Sequence, residues 1–455
     1  MGNSLAKIKN KFNLDNILYW YIIIQPIVDI ITSICVRNIS EKLSIGIAIR
    51  MAFMIFIVIY TLIKTKGKER TLAFIYYALI AVYSVCYMFF RYKANGVVAI
   101  FTEVKGLIKT MYFPVVLASF LAIFKTDKYK TKRNALNISL LIYSIVIVVS
   151  SILNIAYKTY GDDIYKGTVG LFYAGNEIGA ILSILLPITF ISFLTKKFKI
   201  FNIICGAVGI VAILEIGTKT PFAAAIGLLG ILLVIMLIKM FTKERKRTYK
   251  YFSTLLCFII IFGIFINQVP AVENLRVKFD DSNTQGTQTN PDSEKNKDTE
   301  NDNEKELNPI LTKILSNRNL FFKDTLKEYK QSDITTKMIG VGYAHKNAEG
   351  IIEERKLVEI DYFDIFFCQG ILGTVIYWIP LILVIIVIVQ NIFRSFLKNI
   401  RNGKVILALY SVLLSFGIAL LAGHVFTAPA VSIFVIINMF ELIYLLNNKE
   451  EIYEE

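Results

Sequence analysis

The stretch "KLVEIDYFDIFFCQGILGTVIYWIPLILVIIVIVQ", residues 356–390, decides the fold class. Three carboxylates, Glu359, Asp361 and Asp364, stand directly before an apolar run that extends from 371 to 392. About 20 apolar residues make a helix long enough to cross a hydrocarbon core. The run therefore reads as a transmembrane helix with acidic groups at its mouth.

The rest of the chain repeats that pattern. Of the 455 residues, 55% are hydrophobic, 33 are Phe and 24 are Tyr, and the mean hydropathy is +0.57. Such a composition excludes a soluble multidomain protein. Apolar runs near 17–36, 43–63, 71–90, 107–124, 135–156, 177–195, 198–216, 221–241, 251–269, 371–392, 405–422 and 429–446 predict an all-α polytopic membrane protein of about twelve spans. The first run follows the basic opening "LAKIKNKFN" with no small-residue cleavage site after it, so it reads as a retained helix. The five cysteines lie in or beside apolar runs without CxxC spacing and read as packing residues.

Charge sets the orientation. The net charge is +15 although only 19% of residues are charged. The loops "KTKGKER", "KTDKYKTKR", "KKFK", "KERKRTYK" and "RSFLKNIRNGK" hold most of the loop Lys and Arg, and one orientation puts them all in the cytoplasm. Nucleic acid is thereby excluded as the reason for the basic balance. That orientation predicts a plasma-membrane protein with both termini cytoplasmic. It makes 1–269 a block of nine helices, 270–370 a large extracytoplasmic loop between helices 9 and 10, and 371–455 three helices with a cytoplasmic tail. Within the loop, 280–308 is polar and reads as disordered, whereas 309–370 carries Ile310, Ile314, Phe321, Phe322 and Leu326 at helical spacing and reads as an ordered lid.

No GxxxxGK[ST], GxGxxG, HExxH or GxSxG motif is present. With two histidines, His345 and His424, a histidine-built metal site is not expected. Asp29 and Arg50 fall at similar depths in the first two runs, a placement suited to a salt bridge.

Four local patterns resemble the O-antigen ligase and Wzy-type polysaccharide polymerase superfamily of GT-C-like membrane glycosyltransferases. "GLFYAGNEIGAILSILLPI" contains Gly170, Asn176 and Pro187 in the family's middle-helix pattern. "GTKTPFAAAIGLLG" puts Lys219 at the family's basic position. "NRNLFFKDTLKEYKQSDITTKMIGVGY" sets Arg318 before a Gly-x-Gly turn of Gly340 and Gly342. "EIDYFDIFFCQGILG" matches through Tyr362, Phe363, Gly370 and Gly373, with Glu359 where the ligases carry histidine.

The resemblance implies inverting, metal-independent and cofactor-free transfer of a glycan from a polyprenyl-pyrophosphate-linked oligosaccharide. It also implies membrane lipid, a flippase and a chain-length regulator as partners. Carried onto this chain, it makes Glu359 the base that activates an acceptor hydroxyl and Arg318 and Lys219 the cations that hold the pyrophosphate. A leaving pyrophosphate gains charge in the transition state, so fixed cations favour its departure. Asp361, Asp364, Tyr362, Asn176, Glu177, Gly340, Gly342, His424, Arg91 and Lys105 are the candidate substrate contacts.

Structural roles compete at each position. Carboxylates favour helix N-termini, Lys and Arg anchor helix ends at the interface, and Asn176 suits a helix cap. Polymerisation of lipid-linked repeat units is the leading expectation. Ligation of finished polymer to another acceptor and bond-free transport of a lipid-linked sugar are the alternatives.

Overall fold

The computed structural model describes residues 13–39, 44–126, 128–161, 164–194, 200–240, 252–265 in part, 266–284, 318–347 and 349–448. Among them, ten helices are long and apolar enough to cross a membrane. In chain order the helices are α1 (Leu14–Asn38), α2 (Ile45–Lys64), α3 (Gly67–Asn95), α4 (Ile100–Thr126), α5 (Arg133–Ile152), α6 (Gly175–Ile191), α7 (Ile200–Ile216), α8 (Lys219–Met240) and α9 (Pro270–Thr284). They continue with α10 (Arg318–Gln331), α11 (Ile334–Ile339), α12 (Asp361–Arg394), α13 (Phe396–Arg401), α14 (Gly403–Leu421) and α15 (Pro429–Asn447). Helix α7 is the shorter apolar helix at the seventh predicted span. The predicted ninth span, 251–269, is described only in part, and the polar insert, 280–308, lies outside the described residues except for 280–284 at the end of α9. The chain is an all-α polytopic membrane protein, and among the described residues its sheet consists of two small antiparallel hairpins: β1 (Tyr157–Lys158) with β2 (Thr168–Gly170), and β3 (Ala344–Lys346) with β4 (Ile352–Glu354).

Burial sorts the helices into centre and rim. In α15, 89% of the most apolar window is buried, against 22% in α3. Phe434, Ile436, Ile437 and Met439 of α15 are fully enclosed, whereas Val82, Val85 and Phe89 of α3 are exposed apolar residues that lipid would solvate. One ionic cluster within the bundle is fully partnered. Arg50 donates to Asp29 Oδ1 at 2.6 Å and to Gln25 Oε1 at 3.0 Å, and Tyr143 donates to Asp29 Oδ2 at 2.5 Å. The salt bridge expected from the sequence therefore forms. Cys35, Cys205 and Cys368 are buried and unbridged, while Cys86 is exposed.

The tenth predicted span begins earlier than its apolar run. Helix α12 starts at Asp361 and breaks at Gly370, whose φ is +64°. The break admits the turn after α11, where Gly340 has φ +104°, and a side chain on Gly340 would collide with the Cys368 carbonyl. Val341 N–H donates to Phe367 O at 2.8 Å across this contact. Tyr83 donates to Gln369 O at 2.7 Å, satisfying a carbonyl that the break releases. Around it, Tyr329, Val341, Val358, Ile360 and Phe367 form a small second core with Phe322 and Phe363. The amphipathic pattern of α10 thus docks on the first turns of α12.

Candidate functional site

One end of the bundle gathers the start of α6, the start of α8, the first hairpin and the turn between α14 and α15. Together they enclose a cleft of about 270 Å³ lined by Thr159, Tyr160, Asn176, Glu177, Thr218 and His424. Two of its walls are helix N-termini, Gly175 of α6 and Lys219 of α8. Unpaired N–H groups and the macrodipole make such ends favourable to anions. Thr218 is 7% exposed, and its hydroxyl has no hydrogen-bond partner among the described residues. A buried hydroxyl without a protein partner in a cleft wall is open to a ligand's hydrogen bond.

Arg318 and Glu359 stand beside this cleft. Arg318, the first residue of α10, donates from Nη1 to Leu421 O at 3.2 Å and from Nη2 to Ala422 O at 3.4 Å. It thereby caps the C-terminus of α14, where carbonyls attract a cation. Nη2 also donates to Glu359 Oε2 at 2.9 Å. The Arg318 side chain is 11% exposed and that of Glu359 41%. Burial and neighbouring Tyr165 push the Tyr160 phenol above its ordinary range, while the Arg318 guanidinium pulls the other way. That electrostatic reach ties Arg318 to the cleft.

The acidic stretch divides its work. Glu359 lies outside α12 in a left-handed conformation, φ +61°, so it shares no helix face with the two aspartates. Asp361 is fully buried and accepts from the N–H groups of His424, Val425 and Phe426 at 2.7–2.8 Å and from Thr427 Oγ1 at 2.7 Å. It holds His424, itself at φ +58°, against the cleft. Asp364 is buried and accepts from Val358 N–H at 2.8 Å, which sets the bend that carries Glu359. Direct sugar binding by Asp361 is therefore replaced by a positioning role, because its carboxylate is enclosed and both oxygens are engaged. The backbone bond of buried Asp364 assigns it to the same kind of task.

The structure brings Asn176, Glu177 and His424 into one cleft, with Lys219 directly after Thr218 at its edge. Other sequence candidates fall elsewhere. Gly340 packs on the Cys368 backbone and Gly342 on Glu103 and Arg91, so both shape a turn instead of facing this cleft. Tyr362 stacks on Trp378 and donates to Phe416 O at 3.3 Å. Arg91 donates to Val341 O at 2.7 Å, and Lys105 pairs with Glu354 at 3.5 Å, both beside the second hairpin.

Thr159, Tyr160 and Thr218 were not legible as site residues, since isolated hydroxyls in short loops carry no spacing signal. Glu103 of α4 belongs to the surroundings of the Gly340–Gly342 turn. It is fully buried and accepts from Tyr87 Oη and from the N–H groups of Tyr343 and Ala344, and so clamps the glycine turn.

Among the described residues, no cluster of three metal-ligating groups occurs. The arrangement instead offers two helix N-termini, two cations and two partly exposed carboxylates, Glu177 in its lining and Glu359 beside it, around a polar cleft. No curated protein matches the chain. Residues 9–449, nearly its whole length, match the model of the O-antigen ligase like membrane proteins, and the protein belongs to that family.

Proposed function

We propose that the protein is a membrane glycosyltransferase that moves a polyprenyl-pyrophosphate-linked glycan onto a sugar hydroxyl of another lipid-linked repeat unit. The observation that carries this reading is the Arg318–Glu359 ion pair beside a cleft bounded by two helix N-termini. The distribution of loop Lys and Arg supports an outer-face site with both termini cytoplasmic.

In this mechanism the donor pyrophosphate enters against the starts of α6 and α8, with Lys219 and Arg318 as counter-charges. Its oxygens compete with Glu359 for the guanidinium, whose planar fork suits phosphate. A carboxylate held by a guanidinium is a poor proton acceptor. Donor binding therefore frees Glu359 to accept the proton of the acceptor hydroxyl. The hydroxyl oxygen attacks the anomeric carbon opposite the pyrophosphate. The bond to the leaving oxygen breaks, its electron pair stays on the pyrophosphate, and the configuration inverts. Arg318, Lys219 and the helix ends stabilise the charge gained there.

The test supplies lipid-pyrophosphate-linked repeat units to the purified protein and follows the products. A ladder of repeat-unit spacing that is lost in Glu359→Gln and Arg318→Ala, with folding intact, supports polymerisation. Transfer only to a different acceptor would make the protein a ligase. Movement of the lipid-linked sugar across the bilayer without a new bond would make it a transporter.

A further inference from the structure

The far end of α10 bounds a second cleft of about 290 Å³ that shares no lining residue with the first. Arg91 and Asn95 enter it from the end of α3, Ser332 and Thr336 from the α10–α11 junction, and His345 and Lys346 from β3. Arg91 is 6% exposed. Its Nη1 meets only the neutral Val341 carbonyl, its Nε has no partner, and it forms no salt bridge among the described residues. His345 Nδ1 is also buried without a partner, and Lys346 is exposed at the mouth. The carboxylate in the wall, Glu328, is already neutralised by a two-pronged contact with Arg355 at 2.5 and 2.8 Å.

A buried guanidinium is costly to desolvate and is ordinarily matched by an anion. Here the nearby carboxylates are already engaged: Glu328 by Arg355, and buried Glu103, which packs beside Arg91 against Gly342, by Tyr87 and the N–H groups of Tyr343 and Ala344. Glu328 follows Arg318 by ten residues on one helix, which at the α-helical rise places the two residues about 15 Å apart. A sugar chain whose pyrophosphate end sits at Arg318 has to extend about 15 Å to meet the wall of the second cleft at Glu328.

We propose that this cleft is a second substrate subsite, which binds an oxyanion carried by the sugar chain, a uronate carboxylate or a phosphate substituent, through Arg91 and Lys346. The inference rests on the glycan-transfer reading of the first cleft.

The experiment measures binding to the purified full chain in phosphatidylcholine nanodiscs. The ligands are a lipid-free oligosaccharide with one uronate per repeat and the same oligosaccharide after carboxyl reduction. Binding at least about tenfold tighter for the uronate form, removed by Lys346→Gln and by Arg91→Gln, is expected. Lys346 is exposed, so its variant keeps the test decisive if Arg91→Gln does not fold. Equal binding of the two oligosaccharides, or a preference that survives Lys346→Gln, overturns the proposal. A parallel arm measures retention of phosphatidylglycerol. If the variants reduce lipid retention and leave the uronate preference unchanged, the oxyanion is a lipid headgroup and the sugar-chain assignment is overturned. The product ladder separates the two readings. Transfer of a neutral repeat unit without any uronate preference removes the subsite alone, whereas a uronate preference in a protein that makes no bond supports the subsite and removes the transfer reading.

Discussion

Arg318 Nη2 stands 2.9 Å from Glu359 Oε2 while the same guanidinium caps the carbonyls of Leu421 and Ala422. The cation is thus anchored to the bundle by α14, whereas the carboxylate reaches it from an irregular bend. A competing anion should displace the carboxylate and leave the cation in place.

Glu359→Gln should slow transfer by about 10²–10⁴-fold, the range of a lost general base, while donor affinity is retained or improved. Arg318→Ala should lower both the rate and donor affinity, since it removes a charge the leaving group needs. Single-turnover rates and donor titrations on the two variants check this. Equal loss of donor affinity in both would show that the pair is a fixed strut.

Asp361→Asn should destabilise the α14–α15 turn. Replacing one oxygen by an amide opposes a donor to the N–H groups of residues 424–426, at a cost of about 3 kcal/mol. Thr427→Val removes one contact and should cost about 1 kcal/mol. Thermal unfolding in detergent measures both. An unchanged melting temperature with lost transfer would instead place Asp361 on the substrate.

Thr218→Val should separate function from stability. The valine removes a buried hydroxyl that lacks a partner, so the melting temperature should hold or rise. Donor KM should rise about tenfold, equivalent to about 1.4 kcal/mol of lost binding. Steady-state kinetics with thermal unfolding on the same sample give both readings, and an unchanged KM would remove Thr218 from the site.

The Asp29–Arg50 pair supports the bundle and not the chemistry. Arg50→Ala leaves the largely enclosed Asp29 carboxylate with an uncompensated charge and should cost about 3 kcal/mol, whereas Asp29→Asn with Arg50→Met should recover much of the loss. Unfolding of the single and double variants tests the coupling. Transfer by the double variant should match wild type at a temperature where both are folded.

Much of this was legible along the chain, for reasons that differ from residue to residue. Apolar runs such as 405–422 and 429–446 became α14 and α15 almost to the residue, because a helix crossing lipid must be both long and apolar. Pairing of Asp29 with Arg50 followed from depth, since two ionisable groups in neighbouring spans must meet. The start of α12 was misplaced because hydropathy marks where lipid begins, whereas Asp361–Gln369 is a helix buried in protein before the break at Gly370. Thr218 and Tyr160 carried no signal, since their meaning comes only from what the hairpin and α8 bring beside them.

By itself, the sequence determined the membrane-spanning all-α class and the presence of an acidic stretch and of isolated cations elsewhere in the chain. Those properties follow from local composition, which lipid and helix geometry convert directly into elements. Only the tertiary structure decided which carboxylate meets a cation. Glu359, Asp361 and Asp364 lie within six residues, yet one pairs with Arg318, one holds the His424 turn and one holds the Val358 bend. Their partners come from segments 6 to 63 positions away, and pairing at such separations is set by helix packing and backbone conformation, which no local pattern encodes.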